Sequence, residues 1–500
     1  MVGATMNGMI PGAAQFAGQR VAVFGLGISG RASVAALLEH TQAVVSAWDA
    51  RAAAVAEYQA DSRVDHAYSD ADAAALVAAI LAWQPDLVVI TPAFRERGIE
   101  WKTLREAGVR VCSEIELAWQ LRAVRPDGSF APWLAVTGTN GKTTTTSMLA
   151  AMLREAGLGG EALGNIGKPV VSAVSDTSAS APRVFALELS SFQLFATYSM
   201  QPLASVCLNL APDHLEWHES FESYRNAKAN VYHDVRGACI YPVGDAAVQA
   251  MVDEADVQEG ARAIGFTLGI PSVGTIGIVD GAVIDRAFHP QRHTEGRELY
   301  QLSVLEHLAP HGKELPVHIV KDALAATALA CAAGVPAAAI ERALAQFSSG
   351  KHRIEFVREI AGVNYVDDSK ATNPHATEAS VLANPDHSVV WIAGGQPKGV
   401  NFAPLVERIA PKLQAVVVIG VDQDPLRSAL ANVAVPVAYI DPAVSDPMHD
   451  AVLTAAQFAQ PGATVLLAPA SASMDQFDSY AQRGDVFAAE VAALAQSCEE

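Results

Sequence analysis

Cysteine is scarce and unpatterned. Cys112, Cys207, Cys239, Cys331 and Cys498 are scattered without C-x-x-C spacing, which excludes a zinc ribbon or a disulfide framework and reads as reduced thiols. Positive charge is also short: 34 Lys and Arg stand against 54 Asp and Glu, a net charge of −20. That is the wrong sign for a surface tracking a nucleic-acid backbone. Any nucleotide must be held against this field by local devices such as helix N-termini, metal ions and a few placed cations. Long apolar runs are missing as well. The best, ALVAAILAW, falls well short of the roughly 18 to 20 residues of a membrane span. The stretch before Arg20 has no basic residue and no signal-type apolar core, so a soluble, cytoplasmic protein is expected. What is present is a chain of 500 residues, 51% hydrophobic and 18% charged, a globular composition long enough for about three domains.

The most informative stretch is LAVTGTNGKTTTTSMLA, residues 134 to 150. An apolar strand stops at Thr137, a glycine turn follows (Gly138, Thr139, Asn140, Gly141), and Lys142, Thr143 and Thr144 open a helix-compatible segment. Such a turn aims backbone N–H groups and the positive end of the helix dipole at one point, which suits a phosphate. Lys142 adds a mobile cation, and the Thr143 hydroxyl is placed to hold Mg²⁺. The spacing departs from the usual P-loop, because Val136 stands where its first glycine would be.

Upstream, RVAVFGLGISG is a β-branched strand running into G-x-G-x-x-G (Gly25, Gly27, Gly30), followed by a helix and a second strand ending at Asp49. An acid at that distance can reach a ribose hydroxyl, a Rossmann-like arrangement. Further βα alternation through DLVVITPA and VRVCSE closes a parallel domain of three to five strands near residue 115. Downstream, RVFALELSSFQL ends a buried-type strand at Glu188, and ASVCLNLAPDHLEWH ends another near Asn209. Glu188, Asp213 and His214 should share the sheet edge with the phosphate loop. For Glu188 alone, a solvated strand-end carboxylate explains the residue equally well. His214 and His218 are four apart, but the glutamate between them is Glu216, so the H-E-x-x-H order of a zinc protease is missing. Residues 240 to 315 say little beyond a β-hairpin at Asp280-Gly281. Two alanine-rich helices follow between 317 and 347, and a third, Rossmann-like domain begins near 350 with NYVDDSKATNP. Three further strands follow there, and Lys398 sits in a Gly-Gly-x-x-Lys-Gly loop suited to an anion.

Taken in order, GLGISG, TGTNGKTTT, LELSSFQL, NLAPDHLEWH, YRNAKANVY, HRIE, DDSKATNP, GGQPKG and LLAPASASMDQF resemble the Mur ligases across nearly the whole chain, most closely the branch that adds D-glutamate. The resemblance implies an α/β protein of three domains. These are a Rossmann-like domain for the UDP substrate (1–115), a central P-loop-type ATPase domain (116–349) and a Rossmann-like amino-acid domain (350–500). It implies ATP-dependent addition of D-glutamate to UDP-N-acetylmuramoyl-L-alanine through an acyl phosphate, in cytoplasmic peptidoglycan precursor synthesis, by a monomer with ATP and two Mg²⁺ sites. Motif by motif, Lys142 and Thr143 would bind the ATP phosphates and Mg²⁺, and Glu188 and His214 would serve the second metal. Lys228 in YRNAK matches a lysine carbamylated in this family. Ile28, Ser29, Asp49, Arg51 and Asn165 match the UDP-substrate site. Arg353, Asp368 and Lys370 match the ATP side of the third domain, and Thr372, Lys398, Ser473 and Tyr480 the D-glutamate cradle. Two departures stand out: Ile319 and Asp322 replace the asparagines of an H-N-x-x-N pattern, and Thr91-Pro92-Ala93 replaces S-P-G.

A nicotinamide dehydrogenase would explain GLGISG and Asp49 but not the phosphate loop. A P-loop kinase would explain residues 134 to 150 but would place phosphate on a hydroxyl product with no requirement for an amino acid, and a non-catalytic nucleotide-dependent module would not need Lys142, Glu188, His214 and Lys228 together.

Overall fold

The computed structural model describes residues 10–95, 98–125, 127–176, 178, 181–309, 314–348, 350–397 and 400–499, with His375, Cys498 and Glu499 described by backbone only. The fold is α/β, with three sheets. The first holds β1 (Arg20–Phe24), β2 (Val44–Asp49), β3 (Val64–Ser69), β4 (Leu87–Ile90) and β5 (Arg110–Cys112), all parallel, in the order β3-β2-β1-β4-β5. Because the chain crosses from one side of β1 to the other, a crevice opens at the C-terminal ends of β1 and β4.

The second sheet holds β6 (Trp133–Thr137), β7 (Ala162–Gly164), β8 (Phe185–Glu188), β9 (Ala204–Cys207), β10 (Ala238–Pro242), β11 (Arg262–Phe266), β12 (Thr275–Val279), β13 (Ala282–Asp285) and β14 (Arg297–Gln301). Its order is β14-β13-β12-β11-β10-β9-β6-β8-β7. β6 lies between β8 and β9, so whatever follows each of those three strands meets at one edge. The β12–β13 hairpin turns at Asp280 and Gly281, both with positive φ (48° and 80°), as a two-residue turn requires.

The third sheet holds β15 (Glu355–Ile360), β16 (Val363–Asp367), β17 (Val389–Gly394), β18 (Leu413–Ile419), β19 (Val437–Tyr439) and β20 (Thr464–Leu467), in the order β15-β16-β20-β17-β18-β19. Only the β15–β16 pair is antiparallel. The strands that pattern reading passes over are the short or polar ones: β7 and β19 have three residues each, and β3 (VDHAYS) has no apolar alternation.

By compactness the chain forms two units. One is Met1–Val304 with Ile319–Phe347 and carries the first two sheets; the other is Leu305–His318 with Ser348–Glu500 and carries the third. None of the described helices is long and apolar enough to cross a membrane.

Within the first unit, two buried glutamates of the helix Glu114–Gln120 join the first sheet region to the second. Glu116 accepts from Tyr198 N (2.7 Å) and Ser199 N (2.9 Å), and Glu114 accepts from Val171 N (2.6 Å). The other Glu114 oxygen is buried without a hydrogen-bond partner. Burial pushes the Glu114 carboxyl up to about 7 against the opposing pull of the Val171 and Val170 amides. An acid raised in this way favours its protonated folded form. Its contribution is fully present below the unfolded value of 4.5 and is lost as pH rises through about 7, a change of about 3 kcal/mol. Glu114→Gln is therefore expected to unfold at a higher temperature than the parent at pH 8 and to lose that advantage at pH 5. Melting curves at the two values check it, and parallel shifts at both would contradict it.

Candidate active site

The phosphate-loop reading rests on backbone geometry that only glycine supplies at two points. After β6, Gly138 (φ 146°) turns the chain and Gly141 (φ 82°) starts the helix Lys142–Glu155. Val136 stays in the strand, fully buried, so the loop begins later than in the usual motif. A Cβ on Gly141 would lie 2.3 Å from a carboxylate oxygen of Asp322, and one on Gly138 would lie 3.0 Å from Leu208 Cβ. The loop is clamped from the segment after β9. Thr139 N donates to Asn209 O (3.1 Å), Asn140 N to Asn209 Oδ1 (2.9 Å), and Asn209 Nδ2 to Asn140 O (3.1 Å). Thr139 Oγ1 also pairs with Tyr224 OH (2.9 Å). Lys142 folds back over its own loop, donating to Gly138 O and Thr139 O at 2.9 Å each.

Lys228 reaches the same point from the helix Phe221–Ala229. Its Nζ donates to Gly138 O (2.8 Å) and lies 3.4 Å from Thr137 Oγ1. Two lysines therefore converge on one carbonyl. Burial and the Lys142 charge push the Lys228 ammonium down to about 7, so a neutral amine is available at physiological pH. Glu188, at the end of β8, is 1% exposed. One of its oxygens accepts from Asn165 Nδ2 (2.8 Å), and the other is buried with no hydrogen-bond partner. A buried carboxylate oxygen left unpaired beside the phosphate-loop strand fits a cation.

His214 takes a left-handed conformation (φ 51°) before the short helix Leu215–His218 and lies 3.7 Å from both Asp213 and Glu216 carboxylates. His218 is instead buried against Ser191 Oγ (2.9 Å), and burial together with His214 and Lys228 pushes it down to about 4. The two rings use different partners, so the pair does not form a zinc site.

At the first sheet, the glycine motif divides by role. A Cβ on Gly25 would lie 2.1 Å from Thr91 Oγ1, and one on Gly30 would lie 1.8 Å from Gly25 O, whereas Gly27 has open space around it. Gly27 is thus where another backbone or a ligand can approach. Ile28 is 78% exposed and Ser29 half-buried beside it. The Asp49 carboxylate is engaged by neighbouring donors. It accepts from Leu26 N (2.7 Å) and Arg51 N (2.8 Å) and pairs with the Arg51 guanidinium (3.0 Å). Burial raises its carboxyl, but these bonds outweigh it and hold the group below the usual range. Asn165 donates to Glu188 (2.8 Å). Of the motif departures, Ile319 is buried, Asp322 is buried against Gly141, and Ala93 is exposed.

In the second unit, the loop after β16 carries Asp368, Ser369, Lys370 and Thr372. Asp368 is buried, accepts from Ser380 Oγ, and is pushed up to about 7 by burial despite Ser380 and Arg353. Lys370 Nζ lies 3.7 Å over the Tyr480 ring, and Ser473 is buried in the loop after β20. Lys398 lies outside the described residues. Pattern reading missed Arg483, which is fully buried and donates to Ser369 O (2.9 Å), Ser369 Oγ (3.0 Å) and Ser471 O (3.2 Å). It also missed Asn209 and Tyr224. Tyr224 had a signal, because it sits one helical turn before Lys228 and so on the same face.

Comparison with known proteins agrees with this geometry. The family model for the Mur ligase middle domain matches residues 136–329, and that for the Mur ligase glutamate ligase domain matches 352–471. The chain is 44% identical to the UDP-N-acetylmuramoylalanine--D-glutamate ligase of Streptomyces coelicolor, covering 96% of this chain and 99% of that one. It is also 44% identical to the protein of that name from Leifsonia xyli, covering 96% and 93%. Among solved structures, a UDP-N-acetylmuramate-alanine ligase of Thermotoga maritima shares the fold, with a TM-score of 0.52 at 16% identity over 95% of this chain and 99% of that one. With both family models matched in order and near-full-length relatives on either count, the chain belongs to the Mur ligase family.

Proposed function

We propose that the chain is an ATP-dependent ligase that joins D-glutamate to UDP-N-acetylmuramoyl-L-alanine in cytoplasmic peptidoglycan precursor synthesis, acting as a monomer of three functional domains (1–115, 116–349 and 350–500). The observation that carries this reading is the convergence of Lys142 and Lys228 on the Gly138 carbonyl, at the strand edge where Glu188 leaves a buried oxygen unpaired. The names of the relatives supply the substrate pair.

In the first step a carboxylate oxygen of the muramoyl-alanine attacks the γ-phosphorus of ATP, and ADP leaves. In the second, the D-glutamate amine attacks the acyl carbon, inorganic phosphate leaves, and the amine gives up a proton. A free carboxylate is a poor acyl donor, so the first step supplies the leaving group. Phosphoryl transfer depends mainly on positioning and charge neutralisation. The loop from Gly138 to Gly141, with Thr143 and Thr144 at the helix start, holds the phosphates. Lys142 exchanges its own loop carbonyls for phosphate oxygens. Thr143, Glu188, His214 and Lys228 would hold Mg²⁺, which when bound neutralises phosphate charge. Ile28, Ser29, Asp49, Arg51, Asn165 and His214 serve the UDP substrate. Arg353, Asp368 and Lys370 serve ATP from the third domain, and Thr372, Lys398, Ser473 and Tyr480 the amino acid.

Lys228 completes the set as a carbamate. Its neutral amine adds to the carbon of dissolved CO₂, forming an N–C bond and releasing one proton, and an ammonium becomes an anionic oxygen ligand. An ammonium about 4 Å from a divalent cation would be repelled by roughly 8 kcal/mol at an effective dielectric of 20.

The test is phosphate release from ATP with UDP-N-acetylmuramoyl-L-alanine and a panel of amino acids. Release should require D-glutamate. Release driven by L-lysine or diaminopimelate instead would overturn the assignment.

A further inference from the structure

One contact in the first unit ties the sugar-nucleotide crevice to the phosphate-transfer edge. Trp217 is 7% exposed, and its Nε1–H donates to Pro92 O at 3.2 Å. Pro92 lies just past β4, where the order of the first sheet opens its crevice, and the neighbouring Thr91 packs so closely on Gly25 that no side chain fits between them. Trp217 itself belongs to the short helix Leu215–His218 that follows His214, and its backbone N–H donates to His214 O at 3.0 Å.

The indole is held from several sides. Phe192 lies 4.8 Å from it, Phe195 5.5 Å and His218 4.5 Å, and Phe192 also meets the His214 ring at 4.8 Å. The helix is bracketed by left-handed residues, His214 (φ 51°) and Glu219 (φ 60°). Neither is glycine, so this backbone costs energy and needs outside support to persist. Packing alone would fill the space with any large ring. The N–H adds direction, since it can be satisfied only if the loop after β4 presents its carbonyl at one place.

We infer that Trp217 is a positioning residue: its indole N–H fixes the loop after β4 against the His214 helix, so that a substrate seated at the first sheet delivers its carboxylate to the phosphate-transfer edge. The inference rests on the ligase reading for its kinetic part only.

Trp217→Phe keeps an aromatic ring and removes the donor. With the full-length enzyme, kcat/KM for UDP-N-acetylmuramoyl-L-alanine is expected to fall about five- to tenfold, the worth of one neutral hydrogen bond, while KM for ATP stays within about twofold of the parent. Hydrogen exchange read by mass spectrometry over residues 87 to 95 should be faster in the variant without substrate. Trp217→Leu, which removes ring and donor together, should lower the melting temperature more than Trp217→Phe does. Equal losses for both substrates with a matching fall in melting temperature would make Trp217 merely structural and overturn the inference. So would unchanged exchange over 87 to 95. If the parent enzyme proved inactive with D-glutamate, the ligase reading would fail while the exchange comparison would still decide the contact.

Discussion

Lys228→Ala is expected to reduce ligation at least about 10²- to 10³-fold, the scale seen when one preorganised electrostatic group is removed from a transition-state site. Small carboxylates such as formate or acetate are expected to restore part of it. The reason lies in where the side chain ends. Its Nζ is buried and shares the Gly138 carbonyl with Lys142, so as an ammonium it would double the positive charge beside the phosphate loop. As a carbamate it would instead supply an anionic oxygen beside Glu188, whose own second oxygen lacks a partner. Alanine leaves room for a free carboxylate to take that place. Kinetics with and without added carboxylate, together with an intact mass that shows one carbon dioxide gained and lost again in acid, check the prediction. Full activity of the alanine variant, or loss without rescue, would count against the carbamate.

Arg483→Met is expected to cost about 3 to 5 kcal/mol of stability, because it strands buried carbonyls rather than only deleting a contact. Arg483, on the helix Tyr480–Glu499, reaches the loops after three neighbouring strands: Ser369 after β16, Ser471 after β20, and Gly394 at the end of β17 (3.5 Å). Burial pushes the guanidinium down to about 10, with Asp475 and Asp367 opposing the shift, so it stays charged at neutral pH. A lysine cannot make this fan of bonds, and Arg483→Lys should fall between the parent and methionine. Thermal unfolding of the three proteins decides it. Equal melting temperatures would mean that the loops hold without the arginine.

Both effects show why part of the site was legible in sequence and part was not. The phosphate loop, the G-x-G-x-x-G turn and the Asp280-Gly281 hairpin are local, because a few successive residues set the backbone and the glycines announce where φ must be positive. Glu188 and His214 become candidates through a rule of topology, that ligands gather at the C-terminal ends of parallel strands. Asp49 matched the pattern for a ribose-binding acid, yet its carboxylate is taken up by Leu26 N and Arg51. Spacing can place an acid at a strand end but cannot say which donors will surround it. Arg483 gave no signal at all, since nothing in its neighbours announces that three distant loops will turn their carbonyls toward it.

The sequence by itself determined the kinds of group available, the strand-turn-helix at the phosphate loop and, through the order of its motifs, the family. These are local or collinear properties, written in periodicity and spacing. Only the tertiary structure decided that Lys142 and Lys228 share the Gly138 carbonyl, the second from 90 residues away, that Asp322 lies against Gly141, and that Trp217 reaches Pro92 across 125 residues. Those meetings depend on sheet order and burial, which bring together side chains whose separation along the chain carries no record of the contact.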